Sequence, residues 1–262
     1  MQINHQRAEE KVEIEDLSIP FPQEPLWNDT MEVIRKLARG GHSTFTADEI
    51  ANALRFNSEE TRQRYGNAIY RRLFGHKEIY GQTMIKVARA YQDDPLVEAI
   101  WRTVYFGVEP ILGKTYLDII WPREPGSVIS TAEIKNYVRT TWKTLGAKVV
   151  DRVSLSLKQS NAIRKHTKDY IIGGFANLET PLLILLHMFF AQESSATTVR
   201  VASIEQNNFW KFLGYRSIDH VRVGLRKAEQ QGYLARYSVV DHIEQVTTKY
   251  SLSSLIDKAP QL

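Results

Sequence analysis

Apolar residues in this chain recur mainly at three- and four-residue spacing, the period of one helix face. From Leu26 the row Leu26, Val33, Ile34, Leu37 and Ala38 predicts a helix that stops at Gly40-Gly41, a C-terminal signal. Thr46-Ala47-Asp48-Glu49 has the spacing of a capping box and opens a short helix carrying Ile50, Ala51 and Leu54. Asn57 or Ser58 can cap a third helix over Glu59 to Phe74, with core row Tyr65, Ile69 and Leu73, ended by Gly75. Three helices with a tight second turn make a helix-turn-helix-like unit. One or two further helices follow across about 83–105, broken at Asp93-Asp94-Pro95, and then the run VEPILGKTYLDIIW.

The loop Trp121 to Ser127 is rich in Pro and Gly and marks a boundary. A second capping box, Ser130 to Glu133, opens a helix with Ile134, Tyr137, Val138 and Leu145 up to Gly146. Val149, Val150, Val153 and Leu157 form the next helical face, and residues 169–175 read as a short strand with a turn. In the last third, Thr180 caps a helix with Pro181 at its first position, running Leu182 to Ala191. Ser203 opens a short helix ending at Gly214. Ser217 caps another with Ile218, Val221, Leu225 and Ala228 on one face until Gly232, and residues 233–240 and 246–252 are β-rich. The expected fold is mostly α, with helix-turn-helix-like units and a C-terminal winged helix carrying small β-hairpin wings. The expected segments are an extended leader arm over 1–25, holding Pro20, Pro22 and Pro25, a helical domain over 26–122, a winged-helix-like segment over 123–180, and a winged-helix domain over 181–262.

Composition narrows the chemistry. The chain has 262 residues, 43% hydrophobic and 24% charged, enough to bury a core and far from the composition of disorder. It has no cysteine, which removes disulfides, thiolate metal sites and cysteine nucleophiles. A net charge of +4 suits a polyanionic partner without requiring one. The N-terminus shows no apolar signal region, and the run Leu182 to Phe190, interrupted by His187, is under half the roughly 20 residues of a membrane span, so a cytoplasmic protein with no membrane partner is expected.

Two helix faces carry candidate contacts to DNA. Opposite the core row of the Ile218 to Gln231 helix lie Asp219, Val223, Arg226 and Gln230, flanked by Arg222 and Lys227. Arg suits a guanine edge, Gln an adenine, an aliphatic group a thymine methyl and Lys a phosphate. Arg236 and Lys249 on the wing could reach the backbone. On the Glu59 to Phe74 helix, Glu60, Arg64, Asn67 and Arg71 oppose the core row with Gln63 beside them, while Arg62 falls near the apolar row and could pair with an acidic neighbour. The alternative for the Ile218 to Gln231 face is a solvated helix face in a protein-binding winged helix, and the Glu59 to Phe74 face reads equally as an ordinary solvated surface. The basic stretch Lys158, Arg164, Lys165, His166 and Lys168 suits either a phosphate-contacting wing or a solvated loop.

Enzyme motifs are weak. Gly113-Lys114-Thr115 lacks the first glycine of a phosphate-binding loop, since position 108 is Val108. Asp118, Glu133 and Lys135 have the residue types of a metal-dependent nuclease set, which needs strand placement, whereas Glu133 caps a helix. The seven His show no metal-ligand spacing, and no Gly-x-Ser-x-Gly elbow is present. His187 is expected as a hydrogen-bonded core histidine, and Trp101, Trp121, Trp142 and Trp210 as core.

The pattern SIEQNNFWKFLGYRSIDHVRVGLRKAEQQGYLARYS followed by TTKYSL resembles the winged-helix superfamily over about residues 181 to 256, which implies nucleic-acid binding as its commonest use. Residues 26 to about 190 are similar to the BrxA family of BREX phage-defence accessory proteins. The similarity rests on RGGHSTFTADEIANAL, NSEETRQRYGNAIYRRL, VEPILGKTYLDIIW and YVRTTWKTLGAKVVDRVSLSL, and leaves the C-terminal third without a counterpart. That resemblance implies a non-enzymatic component of an anti-phage system, acting with methyltransferase and ATPase partners. The expectation is a non-catalytic double-stranded DNA-binding protein with no cofactor or metal site. It contacts DNA through Arg222, Arg226, Lys227, Gln230, Arg236 and Lys249, with Arg64, Asn67 and Arg71 as a second surface. The alternatives are a protein-interaction scaffold, a transcriptional regulator or, remotely, a metal-dependent nuclease.

Overall fold

Capping and close helix contact build the first unit of the fold, α1 (Trp27–Arg39), α2 (Ala47–Ala53) and α3 (Glu59–Tyr70). The computed structural model describes residues 25–41, 45–91, 94–142, 146–175 and 179–258; the leader arm before Pro25 and Leu145 lie outside them. Thr46 and Glu49 complete the capping box reciprocally, and the Ser58 hydroxyl accepts from the Thr61 amide. Arg62, expected beside an acid, instead donates to the carbonyls of Phe56 and Asn57 and closes the turn between α2 and α3. A guanidinium with five donors serves free carbonyls as well as a carboxylate. At the α2–α3 contact a Cβ on Gly66 would sit 2.7 Å from the Ala51 Cβ and 2.8 Å from its Cα. Gly66→Val should therefore destabilise the protein by about 2–3 kcal/mol, because neither helix backbone can yield without losing its packing; a urea unfolding curve reads this directly.

α3 continues as a π-helical turn over Arg71–Gly75, followed by α4 (Glu78–Ala90) and α5 (Asp94–Val108). This placement puts Arg72, 1% exposed, inside the core, where its Nε donates to the Glu109 carboxylate at 2.6 Å and its Nη1 to the Pro25 carbonyl at 2.8 Å. Tyr105 also donates to Pro25, and its hydroxyl lies 3.2 Å from the Ser156 hydroxyl. Pro25 is thus clamped to the core, with Leu26 turned into the left-handed region at φ 54.

One succession of elements then occurs twice, the second time with one more short helix between its first strand and its hairpin. α6 (Pro110–Thr115) and a π turn (Tyr116–Ile120) lead to β1 (Val128–Ile129), α7 (Thr131–Thr141), α8 (Ala147–Gln159), β2 (Ile163–His166) and β3 (Asp169–Ile172). α9 (Glu179–Leu186) and a π turn (His187–Ala191) lead to β4 (Thr198–Arg200), α10 (Val201–Gln206), α11 (Phe209–Phe212), α12 (Ile218–Gln230), β5 (Leu234–Val240) and β6 (Ile243–Thr248). Both sheets are three-stranded and antiparallel, ordered β1-β3-β2 and β4-β6-β5. Val150, Val153, Ser154 and Leu157 of α8 are buried at the same spacing as Val221, Gly224, Leu225 and Ala228 of α12. The residue two places beyond each helix has positive φ, Asn161 at 60 and Gly232 at 79, and turns the chain into the hairpin. The fold is mostly helical with two small sheets.

Several element boundaries differ from expectation for local reasons. α9 starts at Glu179, so Thr180 lies inside it rather than capping it; Pro181 is tolerated because first-turn amides have no intrahelical partner. α10 starts at Val201, before Ser203, and breaks at Asn207, whose side chain accepts from the Phe209 amide. β6 starts at Ile243 because Asp241 and His242, at φ 49 and 64, form a two-residue turn that reverses the chain at once. Residues 163–166, in the basic stretch that reads either as a wing or as a solvated loop, are the first strand of a hairpin, and α13 (Leu252–Lys258) follows where the β-rich stretch was expected to end.

The buried side chains form one core cluster. Trp27, Trp101 and Tyr105 pack with centroids 5.3–6.0 Å apart. Phe106, Tyr116 and Phe212 extend this aromatic seam toward the C-terminal unit. Trp142 and Trp210 are buried, and half-buried Trp121 donates from its indole to Tyr215. His187, fully buried, donates from Nδ1 to the Leu183 carbonyl, and burial holds its pKa below the usual imidazole range. Among the described residues no helix is long and apolar enough to cross a membrane.

Candidate nucleic-acid interface

The two repeated units present the same surface, an outward helix face beside a hairpin, with opposite electrostatics. In the middle unit, Ile163 and Ile172 anchor the hairpin in the core and the two-residue turn Thr167-Lys168 projects it. Arg164, Lys165, His166, Thr167 and Lys168 are all exposed. Asp169, the nearest acid, is engaged: its carboxylate accepts from the Thr131 amide at the start of α7, while the Thr131 hydroxyl donates to the Lys168 carbonyl. These bonds fix the hairpin on α7, and Asp169 makes no ion pair with the hairpin cations. Lys165 reaches back to the Lys168 carbonyl and lies over the Tyr170 ring at 4.8 Å.

α8 adds Lys148, exposed at its start, and half-buried Arg152 one turn on; Asp151 between them is taken by Lys135 at 2.7 Å. Among the described residues, no carboxylate lies within ion-pair distance of Lys148, Arg152, Arg164, Lys165 or Lys168. Sequence reasoning found the basic stretch but missed Lys148 and Arg152. Their signal was available, since both fall opposite the Val150, Val153 and Leu157 row.

In the C-terminal unit the expected exposure pattern of α12 is met: Val221, Leu225 and Ala228 are buried, while Asp219, Val223, Arg226 and Gln230 face outward. The cations there are occupied. Arg222 is held between Glu244 at 2.6 Å and Asp219 at 2.7 Å, which raises its pKa further, and Lys227 pairs with Glu179 at 2.7 Å. Arg226 lies over the Tyr237 ring at 5.0 Å and 3.8 Å from Glu244, to which Tyr237 also donates. Glu244 is thus the hub of this face. Beside it Val223, Val239, Val240 and Ile243 are 44–62% exposed. Arg236 is exposed on β5, and Lys249 lies over Tyr250.

On α3, Arg64 and Asn67 are exposed, with Arg64 over the Tyr65 ring, and Arg71 is half-buried where the π turn begins. The nuclease-like set does not assemble on strands. Asp118 lies in a π turn and binds Lys114 and Tyr137, Glu133 pairs with Arg123, and Lys135 with Asp151. Lys114 and Thr115 sit within α6, where the Thr115 hydroxyl is spent on the Ile111 carbonyl. Among the described residues no group of three acidic or histidine side chains is placed to hold a metal ion. Comparison with protein-family models, with curated proteins and with solved structures finds no match.

Proposed function

We propose that the chain binds double-stranded DNA without catalysis, with both repeated units acting as winged helices and the middle one carrying the phosphate contacts. The observation behind this is the set Lys148, Arg152, Arg164, Lys165 and Lys168, which has no ion-pair partner among the described residues and projects from a helix and the hairpin that follows it. Cations without internal partners are available to phosphates at no cost in broken ion pairs, and a helix with an adjacent wing suits the width of a major groove. The resemblance to the BrxA family, two of whose four motifs fall in this unit and end at Leu157 before the hairpin, supports a setting in anti-phage defence alongside other proteins of that system. Binding to a mixed-sequence duplex across about 50 to 200 mM salt tests the reading: log affinity should fall linearly and steeply. A salt-independent or absent interaction would replace it with the scaffold reading.

The C-terminal face supports a second role, docking of a protein partner. Its arginines are engaged by Glu244 and Asp219, and exposed Val223, Val239, Val240 and Ile243 surround them, a mixture suited to a protein surface. Arg226→Ala is the discriminating variant. With α12 outside the groove, duplex affinity should change by less than about twofold, whereas a loss of about 1–3 kcal/mol would place Arg226 on a base.

A further inference from the structure

We propose that the cavity between α5, the turn after α8 and the chain leaving β3 binds a phosphate group, held by buried Arg102 and by Arg164 beside it. The site stands on the surroundings of Arg102, whether or not the chain binds DNA.

Among the described residues two arginines are buried, Arg72 and Arg102. Arg72 meets the Glu109 carboxylate, whereas no described carboxylate lies within ion-pair distance of Arg102, which is 6% exposed. The Arg102 Nε donates to the Phe212 carbonyl at 3.1 Å and its Nη1 to the Ser160 carbonyl at a long 3.5 Å. Its guanidinium carbon lies 3.4 Å from the centre of the Phe175 ring. Carbonyl dipoles and an aromatic face hold the group in place but supply no countercharge. Burial pulls its pKa down to about 10, so it is still a cation at neutral pH. A guanidinium carries five N–H donors, so both of those on Nη2 and one on Nη1 are left for a further acceptor.

The cavity that Arg102 lines has room for that acceptor. It measures about 260 Å³, just below the roughly 300–1,000 Å³ of pockets that enclose drug-sized molecules, so it suits a small group. The Gly173 amide donates to the Ala162 carbonyl at 2.8 Å and pins the chain after β3 to the turn after α8. That turn and β2 bring Asn161 and exposed Arg164 to the cavity, and Gly174 lines it without a side chain. Glu98, one turn before Arg102 on α5, lines it too without pairing with Arg102. Two guanidinium groups thus face one carboxylate. A phosphate monoester brings about −1.5 to −2 charge and three acceptor oxygens, enough to engage both arginines against Glu98. Arg102 is the stronger partner, because water competes little for a buried guanidinium.

The test titrates the full chain calorimetrically with inorganic phosphate and with adenosine 5′-monophosphate, at an ionic strength held near 0.1 M so that screening is constant. One saturable site per chain is expected. Arg164→Gln should weaken it about tenfold and Glu98→Gln should tighten it about threefold, the signs set by the charge each removes. Arg164 is exposed and Glu98 half-buried, so both variants should fold. Arg102→Lys keeps the charge without the fork and should weaken binding about tenfold. A backbone phosphate as the source predicts that Glu98→Gln also tightens a mixed duplex about threefold and that the duplex displaces inorganic phosphate. A free phosphate monoester predicts that adenosine 5′-monophosphate binds more tightly than inorganic phosphate and that duplex affinity ignores Glu98. Phosphate binding with no duplex binding would uphold the site while refuting the DNA-binding reading. No saturable phosphate or nucleotide binding, with duplex affinity blind to Glu98→Gln, would overturn the site and leave Arg102 as a strut between Phe212 and Ser160. Saturable binding that none of the three variants changes would place it elsewhere and overturn the site as well.

Discussion

Replacing Arg164, Lys165 and Lys168 together with alanine should lower the salt slope of duplex binding by about 2.7, close to 0.9 for each phosphate contact removed. At about 1 kcal/mol per contact, affinity near 0.1 M salt should fall roughly a hundredfold, and uniformly across duplex sequences, because backbone contacts carry no sequence information. The fold should not change. All three side chains are exposed and none pairs with a carboxylate among the described residues, so the melting temperature should stay within the small range of surface substitutions. An unchanged slope would remove the hairpin from the interface. The same triple substitution on α12, at Arg222, Arg226 and Lys227, should behave differently. It would strip Glu244, Asp219 and Glu179 of their partners, costing stability while leaving the slope nearly intact.

The largest stability effect is expected at a pair that takes no part in recognition. Glu109→Ala leaves the Arg72 guanidinium, 1% exposed, without its carboxylate in the core and should cost about 3–5 kcal/mol, read from urea denaturation. The penalty is the desolvated charge left behind, not the worth of the pair, so Arg72→Met combined with Glu109→Leu should recover most of the loss. The single variant should also loosen the attachment of Pro25, since Arg72 holds its carbonyl. If Glu109→Ala proves nearly neutral, Arg72 is not the clamp that its geometry describes.

The helices of the first unit were legible because their signals are local. A capping box at Thr46, caps at Ser58, Ser130 and Ser217, and apolar rows such as Tyr65, Ile69 and Leu73 each act within one or two turns, although the Glu133 carboxylate pairs with Arg123 instead of completing the box expected at Ser130. β1 and β4, two and three residues long, were not legible, because strands so short carry no period and exist only through pairing with hairpins some 40 residues away in the chain. Arg72 read as one basic residue among many on a helix. Its burial depends on the π turn that shifts it inward and on Glu109 arriving from the far end of α5.

By itself the sequence determined the helical character, the positions of most caps, the outward face of α12 and the existence of a basic stretch before Asp169, since each is set by neighbours within a few residues. Only the tertiary structure decided which cations remain available. Arg222, Arg226 and Lys227 meet Glu244 and Glu179 from separate elements, whereas Asp169 turns to α7 and Arg164, Lys165 and Lys168 meet no carboxylate among the described residues. Whether a charge is spent or free depends on which distant residues the fold brings within a few ångströms, where Coulomb attraction outweighs solvent screening.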